Sequence, residues 1–193
     1  MTLSALGIFS AAGAGGGVAF SSDYELIETQ ILGSSTPSVT FSNLNTYSST
    51  YKHLQIRLVG RTTRPSQSGA NIVMRLNGDT GSNYNWHLLD GNGSVVASLG
   101  SASVSSLLVA WVAGPNAAAD VFGSGVIDIL DAYSTTKNKT IRSLNGLSGG
   151  EVAIRLSSGT WRNTNAVTSI TLFDGDGANL VTGSRFSIYG IRG

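Results

Sequence analysis

The chain has 193 residues, a formal net charge of +1 and no cysteine, and only 12% of its residues are charged. This length suits one domain with a sizeable core, while the lack of cysteine excludes a disulfide framework and a thiolate metal site. The near-zero net charge excludes a strong electrostatic pull on nucleic acid, and 41% hydrophobic residues argue against intrinsic disorder.

The first twenty-two residues carry no charged side chain, and we predict an extended N-terminal arm over residues 1–22. No Lys or Arg begins the segment, as a secretory signal would require, and its apolar run is too short and glycine-rich for a membrane helix. A disordered tail would leave its apolar side chains in water, so we expect the arm to bind a partner. The expected contact residues are Leu3, Leu6, Ile8, Phe9, Val18 and Phe20.

Residues 23–193 form a second segment, in which short stretches of alternating apolar and polar residues are separated by Gly, Asn and Asp turns. Strands and helices do not alternate, which argues against a doubly wound parallel sheet. We therefore predict an all-β domain, an antiparallel two-sheet β-sandwich of the jelly-roll kind, with room for one helical turn at 117–120. The predicted strands are 24–32, 38–41, 53–62, 71–76, 84–89, 95–99, 107–113, 121–130, 140–144, 152–156, 169–173 and 186–191.

Metal-binding patterns in the sequence are weak. His53 and His87 are the only histidines, and a zinc site would have to recruit carboxylates as further ligands. The turn Asp-Gly-Asp-Gly at 174–177 resembles the start of a calcium loop, but Ala178 occupies the position of the next ligand. A hairpin turn is favoured there, and a calcium ion shared with a remote carboxylate stays open.

Catalytic patterns are equally weak. The segment Gly-Leu-Ser-Gly-Gly at 146–150 matches a nucleophile elbow around Ser148. That motif needs a following helix and a later histidine, whereas a strand is predicted next and no histidine follows, so a hairpin turn is favoured. No local spacing pairs two glutamates for acid–base work. We expect no enzymatic activity, no catalytic residue, no metal and no cofactor.

The three tryptophans are candidates for ligand contact. Trp86, Trp111 and Trp161 are core residues by default, but a tryptophan on the rim of a sandwich can stack on a sugar ring. Trp161 follows Ser-Ser-Gly-Thr, so we expect it to lie near a loop and to be the most exposed of the three.

One short basic cluster is present. Lys137, Lys139 and Arg142 lie close to a predicted turn, which is typical of a solvated loop. We therefore expect no nucleic-acid partner.

Several blocks of the second segment together resemble a known group of proteins. They include RLNGDTGSNY at 75–84, VIDILD at 126–131 and GSRFSIYGI at 183–191, with further blocks at 37–41, 51–57, 137–140 and 168–172. Over most of 23–193 the chain resembles virion structural proteins of tailed phages, many of which infect cyanobacteria and other aquatic bacteria. The resemblance implies a component of the virion exterior, and it carries over no active-site residue.

Two functions follow as expectations. The first is a capsid decoration, or cement, protein: a homo-oligomer, with a trimer favoured, whose arm lies across adjacent subunits of the major capsid protein. The second is a tail or fibre component that contacts other tail proteins and binds a host-surface glycan through Trp161. Neither function calls for nucleic acid or a membrane as partner.

Overall fold

The computed structural model describes residues 23–149 and 152–193. The predicted arm, 1–22, with its six apolar contact residues, lies outside the described residues. The described part contains twelve strands and one 3-10 helix, Leu44–Tyr47. The strands are β1 (Tyr24–Ile31), β2 (Ser38–Phe41), β3 (His53–Gly60), β4 (Gly69–Leu76), β5 (Tyr84–Gly91), β6 (Val96–Val104), β7 (Leu107–Ala113), β8 (Gly123–Leu130), β9 (Lys139–Ser148), β10 (Val152–Trp161), β11 (Ile170–Asp174) and β12 (Arg185–Ile191).

The strands form two antiparallel sheets that pack as a sandwich, which confirms the predicted fold class. The larger sheet has the order β1-β12-β3-β8-β9-β10-β5-β6, and the smaller has the order β2-β11-β4-β7. The first four strands of the larger sheet and the whole smaller sheet have the strand order of an eight-stranded jelly roll. The other four strands are two inserted hairpins, β5–β6 and β9–β10, which extend the larger sheet beyond β8.

The core lies between the two sheets, and period-two alternation supplies it. On β3, Leu54, Ile56 and Leu58 point inward, and from the smaller sheet Phe41 and Met74 join the same cluster. All five side chains are at most 2% exposed, and full burial stabilises a side chain of this size by about 1.5–3 kcal/mol.

Strand β1 departs from the simple alternation that its sequence predicts. Its register with β12 shifts between Leu26 and Glu28, which is a β-bulge. Leu26 pairs with Tyr189 and Thr29 with Ser187, so the bulge brings Leu26 and Thr29 to one face, although their sequence spacing predicts opposite faces.

The predicted helical turn at 117–120 is wrong. Backbone bonds from Ala117 to Gly114 and from Val121 to Ala118 close two successive turns there instead. A tight turn at Asn77-Gly78 carries the chain from β4 to β5 in the other sheet. Both residues have positive φ, 53° and 66°, and the Asp79 N–H donates to the Leu76 carbonyl at 3.0 Å.

Candidate interaction surface

The outer face of the inserted hairpins carries a row of apolar side chains. Cross-strand register places Val126 opposite Leu144, Leu144 opposite Leu156, and Leu156 opposite Leu89. Residues directly opposite one another share a face, so these four side chains form one row across strands β8, β9, β10 and β5. Their exposed fractions lie between 36% and 57%.

A second row widens this surface. Ile154 lies two residues from Leu156 on the same face, opposite Gly146 and Gly91. Val96 on β6 is paired with Gly91 and so lies in the same row as Ile154. Val152 lies two residues before Ile154 on the same face of β10. The outer apolar patch, as we define it, comprises Leu89, Val96, Val126, Leu144, Val152, Ile154 and Leu156.

The outer apolar patch is large for the surface of a single chain. The exposed fractions of its members, 36–72%, correspond to on the order of 700 Å² of surface, whereas monomers rarely expose contiguous apolar areas above a few hundred Å². A stable protein–protein interface buries about 800 Å² per partner. The patch thus matches one partner's share of such an interface.

A shallow depression of about 480 Å³ adjoins the patch. Small residues, Ser124 and Gly146, form part of its lining, and the patch residues Leu144 and Ile154 contribute to its wall. Arg57 lies at the same level as Val126 and also lines the depression. The apolar patch thus lies directly beside a cationic side chain.

A polar network bounds the patch on its other side. The Tyr24 hydroxyl donates to Gln55, the Gln55 amide donates to Asp128 at 2.8 Å, and the Arg142 guanidinium donates to the other Asp128 oxygen at 2.9 Å. These side chains satisfy one another, so this part of the outer face has less need of a partner than the apolar rows.

A polar depression of about 420 Å³ lies beyond Leu89 on the same sheet. Asn85, His87, Ser158 and Thr160 line it together with Gly100. The Asn85 side chain accepts the Ser103 N–H at 2.8 Å, so it is already engaged in fixing the end of β6.

The structure corrects the expectation for Trp161. This residue is 1% exposed, because the Ser-Ser-Gly-Thr run before it belongs to strand β10 and turns the indole inward. Its N–H donates to Asp79 at 2.7 Å, and its ring stacks on Tyr84 with the centroids 6.4 Å apart. The bond from Trp161, with others from Asn83 and Gly81, holds the pKa of Asp79 below its ordinary value. The Trp161 ring is therefore closed to a sugar.

The three cations of the basic cluster bond to other groups of the same chain. The Lys139 side chain is fully buried, and its ammonium donates to the carbonyls of Ser134, Lys137 and Thr164. Burial lowers the pKa of Lys139. Lys137 pairs with Asp131 at 2.7 Å and Arg142 with Asp128, so these cations hold loops and strands together.

The weak metal and catalytic patterns have structural roles in the described residues. His53 accepts the Asp131 N–H at Nδ1 at a distance of 2.8 Å, while His87 is exposed. At 174–177 the Gly177 N–H donates to the Asp174 carbonyl, and Asp176 pairs with Arg64 at 2.6 Å, so a turn is present. It is not the predicted hairpin turn, because β11 and β12 lie in different sheets. No group of three or more His, Asp or Glu side chains arranged to hold a metal lies within 23–149 and 152–193.

Ser148 lacks the setting of a nucleophile elbow. It ends strand β9 and pairs with Val152, the first residue of β10, so a strand stands where the motif requires a helix. Gly149 follows with a φ of 133°, and residues 150 and 151 lie outside the described part.

Comparison with protein-family models and with curated proteins finds no match to this chain. Among the described residues, no helix has the length and apolar character needed to cross a membrane. The resemblance to phage virion proteins therefore stays a prediction from the sequence.

Sequence reasoning missed the outer apolar patch. Its signal is an inverted alternation on two neighbouring strands: Ser143, Asn145 and Ser157 are buried, while Leu144 and Leu156 point outward. Polar residues alternating with leucines indicate two faces, but the pattern by itself favours burial of the leucines.

Proposed function

We propose that this chain is a structural protein of the exterior of a phage particle, a capsid decoration protein that docks on the shell through its outer apolar patch. The observation that carries this proposal is the patch itself, an exposed apolar surface of interface size on the outer face of the eight-stranded sheet. The resemblance of the sequence to virion structural proteins supports the particle as the partner.

The build of the domain suits such a role. Backbone ladders join the strands within each sheet, and one main apolar cluster with two smaller ones fills the interior. The outer patch is therefore held by elements that lose little freedom on binding, which lowers the entropic cost of docking. A flat sheet face also fits a broad protein surface better than it fits a small molecule, which binds in a concave pocket.

The strength of binding through the patch alone depends on the free energy of burial and on the cost of association. Burying on the order of 700 Å² at about 25 cal/mol per Å² yields roughly 17 kcal/mol, from which association and ordering subtract some 4–15 kcal/mol. The remainder, about 2–13 kcal/mol, spans dissociation constants from tens of millimolar to about a nanomolar, so the area alone does not set the affinity of one patch. In this proposal, residues 1–22 lie across adjacent capsid subunits, and an oligomer adds avidity.

The proposal places the protein on the head. The tail or fibre alternative relied on Trp161 as a sugar platform, and that ring is buried. A glycan-binding role thus loses its candidate residue, while the outer apolar patch serves either location.

The decisive test is to find the protein on intact virions of the phage whose genome encodes it. Cryo-electron microscopy with a gold-labelled C-terminal tag is expected to show it on the outer surface of the head. Label confined to the tail would contradict the decoration role, and absence from the particle would contradict any structural role.

A matched pair of variants tests the surface. Leu144→Ser with Leu156→Ser is expected to reduce occupancy on particles at least tenfold while the domain stays folded. The control, Leu26→Ser with Ile31→Ser, removes two side chains of similar exposure, 58% and 66%, from β1 and is expected to leave occupancy unchanged. Equal occupancy of both pairs would refute docking through the patch.

A further inference from the structure

The two sheets have four edge strands, and one of them lacks the protection that the others show. An edge strand presents unpaired N–H and C=O groups, and proteins block such edges with charges, bulges, short strands or covering groups. Strand β1 carries Glu25 and Glu28 and a bulge between Leu26 and Glu28. Strand β2 has only four residues, and the Gln30 amide donates to the Thr40 carbonyl.

The third edge, β7, is covered by the facing sheet. The Asn145 side chain on β9 accepts the Trp111 N–H at 2.9 Å and donates to the Val109 carbonyl at 3.4 Å. A register shift between Ile72 and Val73 also interrupts its pairing with β4. A buried polar side chain thus occupies the backbone groups that a foreign strand would need.

The fourth edge, β6, has a register shift against β5 between Tyr84 and Trp86, near its end, but no such device along 96–101. Val96–Val104 contains no charged residue and no proline, and in the described part of the chain it pairs with β5 alone. Its far end is irregular, since Ser103 has a φ of 55° and the Arg162 guanidinium donates to the Ser103 hydroxyl. The segment 96–101 remains regular, and its residues 96–100 are exposed while Ser101 is half-buried.

We propose that β6 of one copy pairs antiparallel with β6 of a second copy, joining two eight-stranded sheets across the open edge. Alternate residues of a strand direct both backbone groups to the same side, so roughly half of 96–101 offers donors and acceptors away from β5. The complement of such an edge is another extended strand with free backbone groups. An antiparallel pair of identical strands satisfies this for both partners at once.

The side chains of this segment favour the same occupant. Side chains of paired strands stand above and below the sheet, and Ala97, Ser98 and Gly100 are too small to crowd those of a second strand at the usual spacing of about 4.8 Å. Val96 and Leu99 are 72% and 56% exposed and gain cover in the pair. With no charge on β6, two copies meet without repulsion along the seam.

This pairing has a geometric consequence for the outer apolar patch. Residues directly opposite each other share a face, so the two-fold axis stands perpendicular to the joined sheet. Both patches then lie on the same side of the dimer, separated by the two β6 strands, since Leu89 of each copy lies one strand from the seam. The dimer presents a doubled apolar surface in one direction.

A mass measurement on the purified chain tests the proposal apart from any particle. The wild type is expected to sediment as a dimer, and Val96→Glu with Ser98→Glu as a monomer with at least a tenfold weaker association. The matched control, Leu26→Glu with Ile31→Glu on β1, is expected to stay dimeric. Circular dichroism and the unfolding midpoint show whether each variant is folded.

A second measurement needs no disruption of the edge. Because the chain has no cysteine, single Ala97→Cys, Ser98→Cys and Leu99→Cys variants each place one thiol along the proposed seam. At least one is expected to form a disulfide-linked dimer under mild oxidation, since residues on the axis lie within disulfide range. Leu26→Cys on β1 is the control and is expected to stay monomeric on a denaturing gel.

Several outcomes would overturn this pairing. They are a wild type that stays monomeric at every concentration, a trimer whose seam cysteines do not cross-link, or a dimer that survives Val96→Glu with Ser98→Glu. Protection of the β6 amides from hydrogen exchange in a monomer, lost when residues 1–22 are deleted, would assign the edge to the arm instead.

Discussion

Strands β5 and β10 carry large apolar residues on both faces, and the two faces differ in how far those side chains are exposed. On the inner face, Tyr84 and Trp161 are at most 1% exposed, stack on each other and hydrogen-bond through their polar atoms. On the outer face, Leu89 and Leu156 are 52% and 54% exposed and point into solvent.

This difference separates stability from recognition within a single pair of strands. Burial of the inner residues is already complete, so their contribution belongs to folding. The outer residues remain exposed, so in the proposed function their burial would stabilise a complex and not the fold. The following substitutions test whether the two faces are as independent as this comparison implies.

The largest expected effect is on the inner face. Trp161→Ala removes a buried ring and leaves Asp79 without its indole donor, and it is expected to lower the free energy of unfolding by about 3–5 kcal/mol. Chemical denaturation gives the value. Leu156→Ala on the outer face of the same strand is the control, with an expected loss below about 1 kcal/mol. Similar losses of unfolding free energy in both variants would contradict the difference between the inner and outer faces.

Asp79→Ala is expected to cost about 2 kcal/mol, because the carboxylate accepts the Trp161 N–H and further bonds from Asn83 and Gly81. The folded-state pKa of Asp79 lies below its ordinary 3.8, so its stabilisation is full above that pH and is lost as the pH falls through the folded-state pKa. Unfolding midpoints measured in acid are expected to fall less steeply in the variant.

The control for this carboxylate is Asp176→Ala, which breaks an ion pair with Arg64 on a half-exposed side chain. Its expected cost is below about 1 kcal/mol. If Asp176→Ala were as destabilising as Asp79→Ala, the hydrogen bond from Trp161 to Asp79 would stabilise the fold no more than a surface ion pair does.

Tyr84→Phe is expected to cost about 1 kcal/mol, since it removes the hydroxyl that accepts the Leu76 N–H at 3.0 Å. Burial raises the pKa of Tyr84 from 10.0 to about 12. The folded state therefore keeps a proton that the unfolded state releases, and stability declines as the pH rises above 10. Denaturation midpoints in alkali are expected to fall less in Tyr84→Phe than in the wild type. An unchanged slope would contradict this role.

The smallest effect on folding is expected from Leu156→Ser on the outer face. The unfolding free energy is expected to change by no more than about 0.5 kcal/mol, because the side chain is half exposed. Binding of a dye that reports exposed apolar surface is expected to fall relative to the wild type. A loss of several kcal/mol would mean that the outer patch is part of the fold.

The sequence locates all twelve strands, because turn residues interrupt the apolar alternation between them. Leu107–Ala113 and Ser38–Phe41 have their predicted bounds, and β9 and β10 run four and five residues beyond their predicted ends, 144 and 156. The longer strands continue through Ser, Gly and Asn residues. Such residues indicate a turn locally, whereas neighbouring ladders hold them extended.

The candidate surface was beyond sequence reasoning for a physical reason. Period two separates the two faces of a strand without identifying the inner one, and in the middle of β9 the polar residues Ser143 and Asn145 lie inside while Leu144 lies outside. Asn145 faces inward because the free edge of β7 needs its amide. That need arises only when the two sheets meet, so Leu144 is turned outward by a contact that no local pattern contains.

Both boundaries of the described domain lie at one corner of the larger sheet. Tyr24 pairs with Ile191, and the Arg192 N–H donates to the Asp23 carbonyl at 2.9 Å. Tension applied to the backbone at Asp23 would thus act first on the β1–β12 ladder. A cargo fused after Gly193 would sit close to Asp23, whereas one inserted at 92–94, in the β5–β6 hairpin, would sit at the far side of the sheet.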